Sequence, residues 1–180
     1  MSYPIYAKVN GVKYPLNTSY KAALRCFDIV NDDEISDIER ALAIIYILFG
    51  FVPDNEYDKF LDVAIRYLGC GASQEEQRQR NRDMDFKQDW GYIEASFASD
   101  YHIDLSQTDM HFYKFIDLIQ GLTDSSVLSR VREIRNYDLS DIKDAKTKRK
   151  IAKAQDDLKL KETISKEEQE AIDEFEALFR

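Results

Sequence analysis

The sequence predicts a mainly α protein: a helical domain with a small N-terminal β-hairpin and a C-terminal helical extension. Three observations predict it. Apolar side chains recur at helical spacing from about residue 19 to residue 134. The opening residues alternate around Asn10-Gly11, a strong two-residue turn signal. From Asp138 onward there is no Gly, Pro or Trp, and charge dominates. The expected division is a helical domain over 1–138, with a polar connection near 71–82, and a charged helical extension over 139–180.

The hairpin is expected at Tyr6 to Val9 and Val12 to Tyr14. Two strands alone are marginal in water, so this one must pack on helices or on another chain. A first helix starts near Thr18 or Ser19 and carries Tyr20, Ala23, Leu24 and Phe27 on one face. Asn31-Asp32-Asp33 should end it and cap the second helix. That helix carries Ile35, Ile38, Leu42, Ile45 and Phe49, and is apolar on most sides, which predicts central burial. Pro53-Asp54-Asn55 restarts the chain. A third helix shows Tyr57, Phe60, Leu61, Ala64, Ile65 and Leu68, and stops at Gly69.

Residues 71–82 are polar and rich in Gln and Arg. They read as a solvated connection whose Arg78, Arg80 and Arg82 are partly offset by Glu75 and Glu76. A fourth helix places Phe86, Trp90, Ile93 and Phe97 in one stripe, and Tyr101 to Leu105 form a tight connection. Ser106 or Thr108 should cap a fifth helix carrying His111, Phe115, Leu118 and Leu122, with Phe112, Ile116 and Ile119 beside them. A sixth begins at Ser125 or Ser126 with Leu128, Val131 and Ile134. The tail has a thin stripe of Leu139, Ile142, Ala145, Ile151 and Leu158. A capping box at Ser165-Lys-Glu-Glu168 precedes Ala171, Ile172, Phe175 and Leu178. Such a stripe suits a helical partner or the domain's own core equally.

Composition narrows the function. The net charge of -9 repels phosphate backbones and anionic membrane surfaces, so neither nucleic acid nor membrane is an expected partner. The basic run Lys146 to Lys153 lacks aromatics and has acidic neighbours. No apolar run approaches the roughly 20 residues of a membrane span. The start, Met1-Ser-Tyr-Pro4, lacks a signal peptide's basic and apolar regions, which predicts a cytoplasmic protein with Cys26 and Cys70 reduced and semi-buried. Two histidines, His102 and His111, have no second His or Cys at ligand spacing. There is no phosphate loop, nucleophile elbow or C-x-x-C. The expectation is no enzyme, no metal and no cofactor. His111 reads as a hydrogen-bonded, semi-core residue. Trp90, Phe97 and Phe115 are expected in the core.

The stretch Asp83 to Leu105 contains an aspartate before an aromatic helix, then Tyr101-His-Ile-Asp-Leu105. Met110 to Leu122 contains His111-Phe-Tyr-Lys-Phe115, and Ile134-Arg135 and Leu139-Ser-Asp-Ile142 follow. Together these resemble the bacteriophage "gene product fifteen" family of tailed phages and prophages of Gram-positive bacteria. Phe112 and Tyr113 stand where that family prefers two tryptophans. The resemblance covers about residues 5 to 145; the last two helices depart from it.

That resemblance implies a tail assembly chaperone in the host cytoplasm. Its partners would be the tape-measure protein, the tail-tube protein and further copies of itself. The alternative is a structural tail or connector component of the virion. The residues expected to contact a protein partner are Tyr92, Tyr101, Tyr113, Ile172 and Phe175.

Overall fold

The computed structural model describes residues 2–32, 34–71 and 83–161. Within them the chain is mainly α. Strands β1 (Tyr6–Val9) and β2 (Val12–Pro15) are followed by α1 (Tyr20–Val30), α2 (Asp37–Phe49), α3 (Tyr57–Leu68), α4 (Trp90–Tyr101), α5 (Phe112–Gln120) and α6 (Val127–Asn136). A 3-10 turn (Leu139–Asp141) then leads to α7 (Ala145–Asp157).

The two strands pair antiparallel with Val9 opposite Val12. Asn10 and Gly11 both take positive φ, 50° and 82°, which is why this dipeptide closes the hairpin. The hairpin does pack on helices. Val9 is buried, and Tyr14 lies edge-on to Phe49 and Phe60 at 6.4 and 5.0 Å. Asn17 donates its backbone N–H to Leu48 O at 2.8 Å, fixing the strand exit on α2.

Helix starts follow cap chemistry. Ser19 and Ser126 cap α1 and α6 as the sequence predicts, Ser19 Oγ accepting from Lys21 N and Ser126 Oγ from Ser129 N. Two other caps lie elsewhere than expected. Helix α2 is capped by Ser36 in a full capping box with Glu39, not by the Asn31–Asp33 cluster. Helix α5 is capped by His111, not by Ser106 or Thr108, and its Nδ1 accepts from Tyr113 N at 3.0 Å. The imidazole thus leaves the α5 stripe and does what an Asn or Asp does at an N-cap. Phe86 likewise stands in a turn before α4, which begins only at Trp90.

Helix α2 buries Ala41, Ile44, Ile45, Leu48 and Phe49. Ile38 and Tyr46 are about as exposed as on a surface helix, 61% and 60%. The expectation of burial on most sides is corrected here: α2 packs on α1 and α3 and shows a third face to solvent.

The caps of α1 and α5 are tied together. Tyr20 N donates to Met110 O at 2.9 Å and Phe112 N donates to Thr18 O at 2.7 Å. This aligns the two helices and stacks Tyr20 on Phe115 at 4.6 Å, with Phe97 at 5.4 Å from Phe115. The Tyr20 hydroxyl, deep in this core, donates to Leu105 O at 2.7 Å. Phe97 and Phe115 are fully buried as expected, while Trp90 is partly buried at the core's edge. Ser96, buried in α4, accepts from Leu128 N at 3.0 Å and ties α4 to α6.

Helix α7 buries no residue. It docks on α6 by polar contacts: Gln155 Nε2 donates to Ile134 O at 2.9 Å and to Tyr137 O at 2.8 Å. Of the two roles open to the tail stripe, this half lies on the protein's own body. The expected connection with Arg78, Arg80 and Arg82, and the expected final helix with Ile172 and Phe175, lie outside the described residues.

Candidate interaction surface

Helix α1 turns Tyr20, Ala23 and Cys26 inward. Its next face, Leu24, Phe27 and Val30, forms the floor of an apolar groove. One hollow of about 800 Å³ lies between α1 and the 84–90 turn, walled by Met84, Phe86 and Trp90. A second of about 370 Å³ lies between α1, α2 and α3, walled by Ala41, Ile44, Leu61, Ile65 and Leu68. Phe27 and Val30 belong to both, so the two hollows adjoin. Phe27 and Phe86 pack ring to ring at 5.2 Å, and Val30 is 47% exposed.

The rim carries Asp28, Asp85 and Lys87 on one side, Asp37 and Arg40 on the other. Arg40 is engaged: it donates to Ile29 O at 3.2 Å, to Asp32 O at 2.7 Å and to the Asp37 carboxylate at 2.5 Å. What the groove offers a ligand is therefore apolar contact. An amphipathic helix buries anchors at i, i+3, i+4 and i+7 in such a surface.

A buried ion pair holds the 84–90 wall. Asp89 is 1% exposed and sits at the N-cap of α4, but its carboxylate makes no cap bond. It receives both Nη atoms of Arg135, each at 2.7 Å, and Asp85 N at 2.9 Å. Arg135 also donates to Asp83 O at 2.9 Å and, through Nε, to Leu158 O at 2.7 Å. Arg132 pairs with the Asp83 carboxylate at 2.9 Å. The hydrogen bonds from Arg135 to Asp89 raise the guanidinium pKa further above its already high value. One arginine thus ties the groove wall, the start of α4 and the tail together. Charge in this position demands such full pairing, because an unpaired buried carboxylate is costly.

A second aromatic region, at the start of α5, is closed. Since Nδ1 of His111 accepts from Tyr113 N, its Nε2 carries the proton and donates to Pro4 O at 2.9 Å. Tyr3 stacks on His111 at 5.0 Å, and its hydroxyl donates to Asp117 at 2.8 Å. Beneath lie Tyr113 and Tyr67, stacked at 5.1 Å. Burial pushes the Tyr113 hydroxyl up to about 12 and the Tyr67 hydroxyl higher still. The Tyr67 oxygen is buried with no hydrogen-bond partner.

Among the described residues, those that the sequence singles out for partner contact do not line this groove. Tyr92, Tyr101 and Tyr113 are each partly buried against the core. The Tyr101 hydroxyl donates to Leu118 O at 2.8 Å, and Tyr113 lies under the N-terminal arm. Ile172 and Phe175 are outside the described residues. The groove residues Leu24, Val30 and Ile65 carry no signal beyond ordinary helical periodicity and Met84 carries none, because four separate segments build the site.

Cys26 is fully buried, which pushes its thiol up to about 12, away from nucleophile character. Cys70 is exposed and not semi-buried as expected. No group of His, Cys, Asp and Glu among the described residues could hold a metal ion. No helix among them is long and apolar enough to cross a membrane.

Residues 3–160 match the family model described as Bacteriophage Gp15 protein. The match runs through α7, beyond the limit near residue 145 that the motifs alone suggest. No curated protein and no solved structure matches the chain.

Proposed function

The chain belongs to the bacteriophage Gp15 protein family, and from that membership we propose that it is a tail assembly chaperone that binds the tape-measure protein during tail morphogenesis. It carries out no reaction and needs no cofactor. It works in the host cytoplasm, coating amphipathic helical segments of the tape measure until tail-tube subunits replace it, with self-association between neighbouring copies.

Family membership is the observation that carries this reading. The groove along α1 supplies a place for it. Its apolar floor and walls, with Arg40 already paired, suit the buried face of a helix. A net charge of -9 keeps a many-copy complex soluble and away from the packaged genome.

The test is co-expression with the tape-measure protein, then size-exclusion chromatography with mass analysis. A soluble complex holding many copies of this chain per tape measure is expected, and the chain should be missing from purified particles. A tape measure that stays insoluble while this chain elutes alone would refute the chaperone role. Stoichiometric presence in mature virions would instead support a structural tail or connector component.

A further inference from the structure

Basic charge is placed unevenly in this acidic chain. Helix α7 holds five Lys and Arg against two acids, while the chain as a whole carries -9. The helix packs on α6 and on the 139–141 turn, with Ile151, Gln155 and Leu158 half-buried. Lys146, Arg149, Lys150 and Lys153 recur at i, i+3, i+4 and i+7, so they form one row on the opposite side, about 10 Å long. All four are exposed, and among the described residues none makes an ion pair.

The complement lies on the same chain. Between Phe27 and Ala41 the sequence holds six acids and Arg40 as the one base. That base is engaged in the fold: Arg40 donates to Ile29 O, Asp32 O and Ile35 O and to the Asp37 carboxylate, which draws the end of α1 against the start of α2. Asp28, Glu34, Asp37 and Glu39 are exposed at this corner. A single exposed ion pair contributes little, but a row of cations held by one helix meets several carboxylates at once.

We infer that copies of this chain associate by laying the basic row of α7 on the acidic α1–α2 corner of a second copy. Each copy carries both halves, so a closed pair or a head-to-tail series satisfies them. A nucleic acid would also be drawn to the row, but the rest of a chain at -9 repels phosphate. A second copy brings the matching carboxylates instead. These surfaces deepen the self-association in the proposed coating role but stand on the two charge patches alone, and a test without tape measure lets either fail without the other.

The test is sedimentation velocity of the full chain over a range of concentrations. Association at about 50 mM salt, weakened at least about tenfold by about 500 mM, is expected of a contact between exposed charges. Reversing the row (Lys146→Glu, Arg149→Glu, Lys150→Glu, Lys153→Glu) should abolish association, and so should reversing the corner (Asp28→Lys, Glu34→Lys). Circular dichroism should be unchanged in both, because all six positions are exposed. An equimolar mixture of the two variants should associate again, since each contact is restored between unlike chains although both keep a negative net charge. Zero-length carboxyl–amine cross-linking of wild-type copies, half of them isotope-labelled, gives a readout free of substitutions. Links from the lysines of 146–153 to the acids of 28–39 should join labelled to unlabelled copies. A monomer at low salt, association indifferent to salt, no rescue in the mixture, or links confined to one chain would overturn the inference. So would retention of duplex DNA by a chain that does not self-associate.

Discussion

Two aromatic regions, one at the start of α5 and one along α1, are treated oppositely by the chain. The cluster at the start of α5 is closed: Tyr3 and Pro4 lie over His111 and Tyr113, and Tyr67 is buried below. The groove is open, with Val30 nearly half exposed and Phe27 shared between two hollows. The closed region contributes stability through capping and stacking. The open one leaves apolar surface unspent, which a monomer tolerates chiefly where something binds. Rich aromatic content by itself does not mark a contact surface; what matters is whether the chain already covers it.

Breaking the wall of the groove should cost most. Arg135→Met leaves Asp89 buried and unpaired, which costs about 3–5 kcal/mol. Urea unfolding should show that loss, and the Asp89→Asn, Arg135→Met double variant should be less damaged than the sum of the singles. On the closed side, His111→Ala removes the α5 cap and the tie to Pro4, for about 1–2 kcal/mol. Tyr67→Phe goes the other way: the hydroxyl has no partner, so its removal is neutral or stabilises by about 1 kcal/mol.

A titration sharpens the same contrast. Tyr113 ionises at about 12, above the ordinary tyrosine value of 10.0, because burial disfavours the phenolate. Its folded pKa is raised, so the linked stability is full below pH 10 and is lost as pH rises through 12. Absorbance titration near 295 nm should show late-ionising tyrosines in the wild type, and Tyr113→Phe should remove the step near 12 while the still later Tyr67 remains. Smallest of all, Val30→Glu should change stability by no more than about 0.5 kcal/mol, because it alters a half-exposed position. Its effect belongs to binding.

Much of this fold is written locally. Asn10-Gly11 specifies the hairpin, and Ser19 and Ser126 specify two helix starts, because turns and caps depend on a few adjacent residues. The face of α2 was illegible: a helix apolar nearly all round gives periodicity nothing to choose between, and Ile38 and Tyr46 end up in solvent. The His111 cap was hidden because histidine seldom plays that part, and here Pro4, 107 residues away, fixes its tautomer. The Asp89–Arg135 pair spans 46 residues and has no periodic signature. Arg135 falls in the Ile134-Arg135 segment that resembles the family, but nothing in the sequence pairs it with Asp89. The groove needs α1, α2, α3 and the 84–90 turn together, so no single stretch of sequence announces it.

The most direct test of a helix-binding groove is a Trp90 fluorescence titration of the full chain with amphipathic segments of the tape-measure protein, beside the Val30→Glu variant. A saturable emission change in the wild type, lost in Val30→Glu while its unfolding curve is unchanged, is the expected result. Equal binding by both proteins, or no response of Trp90 to any segment, would contradict the groove as the site.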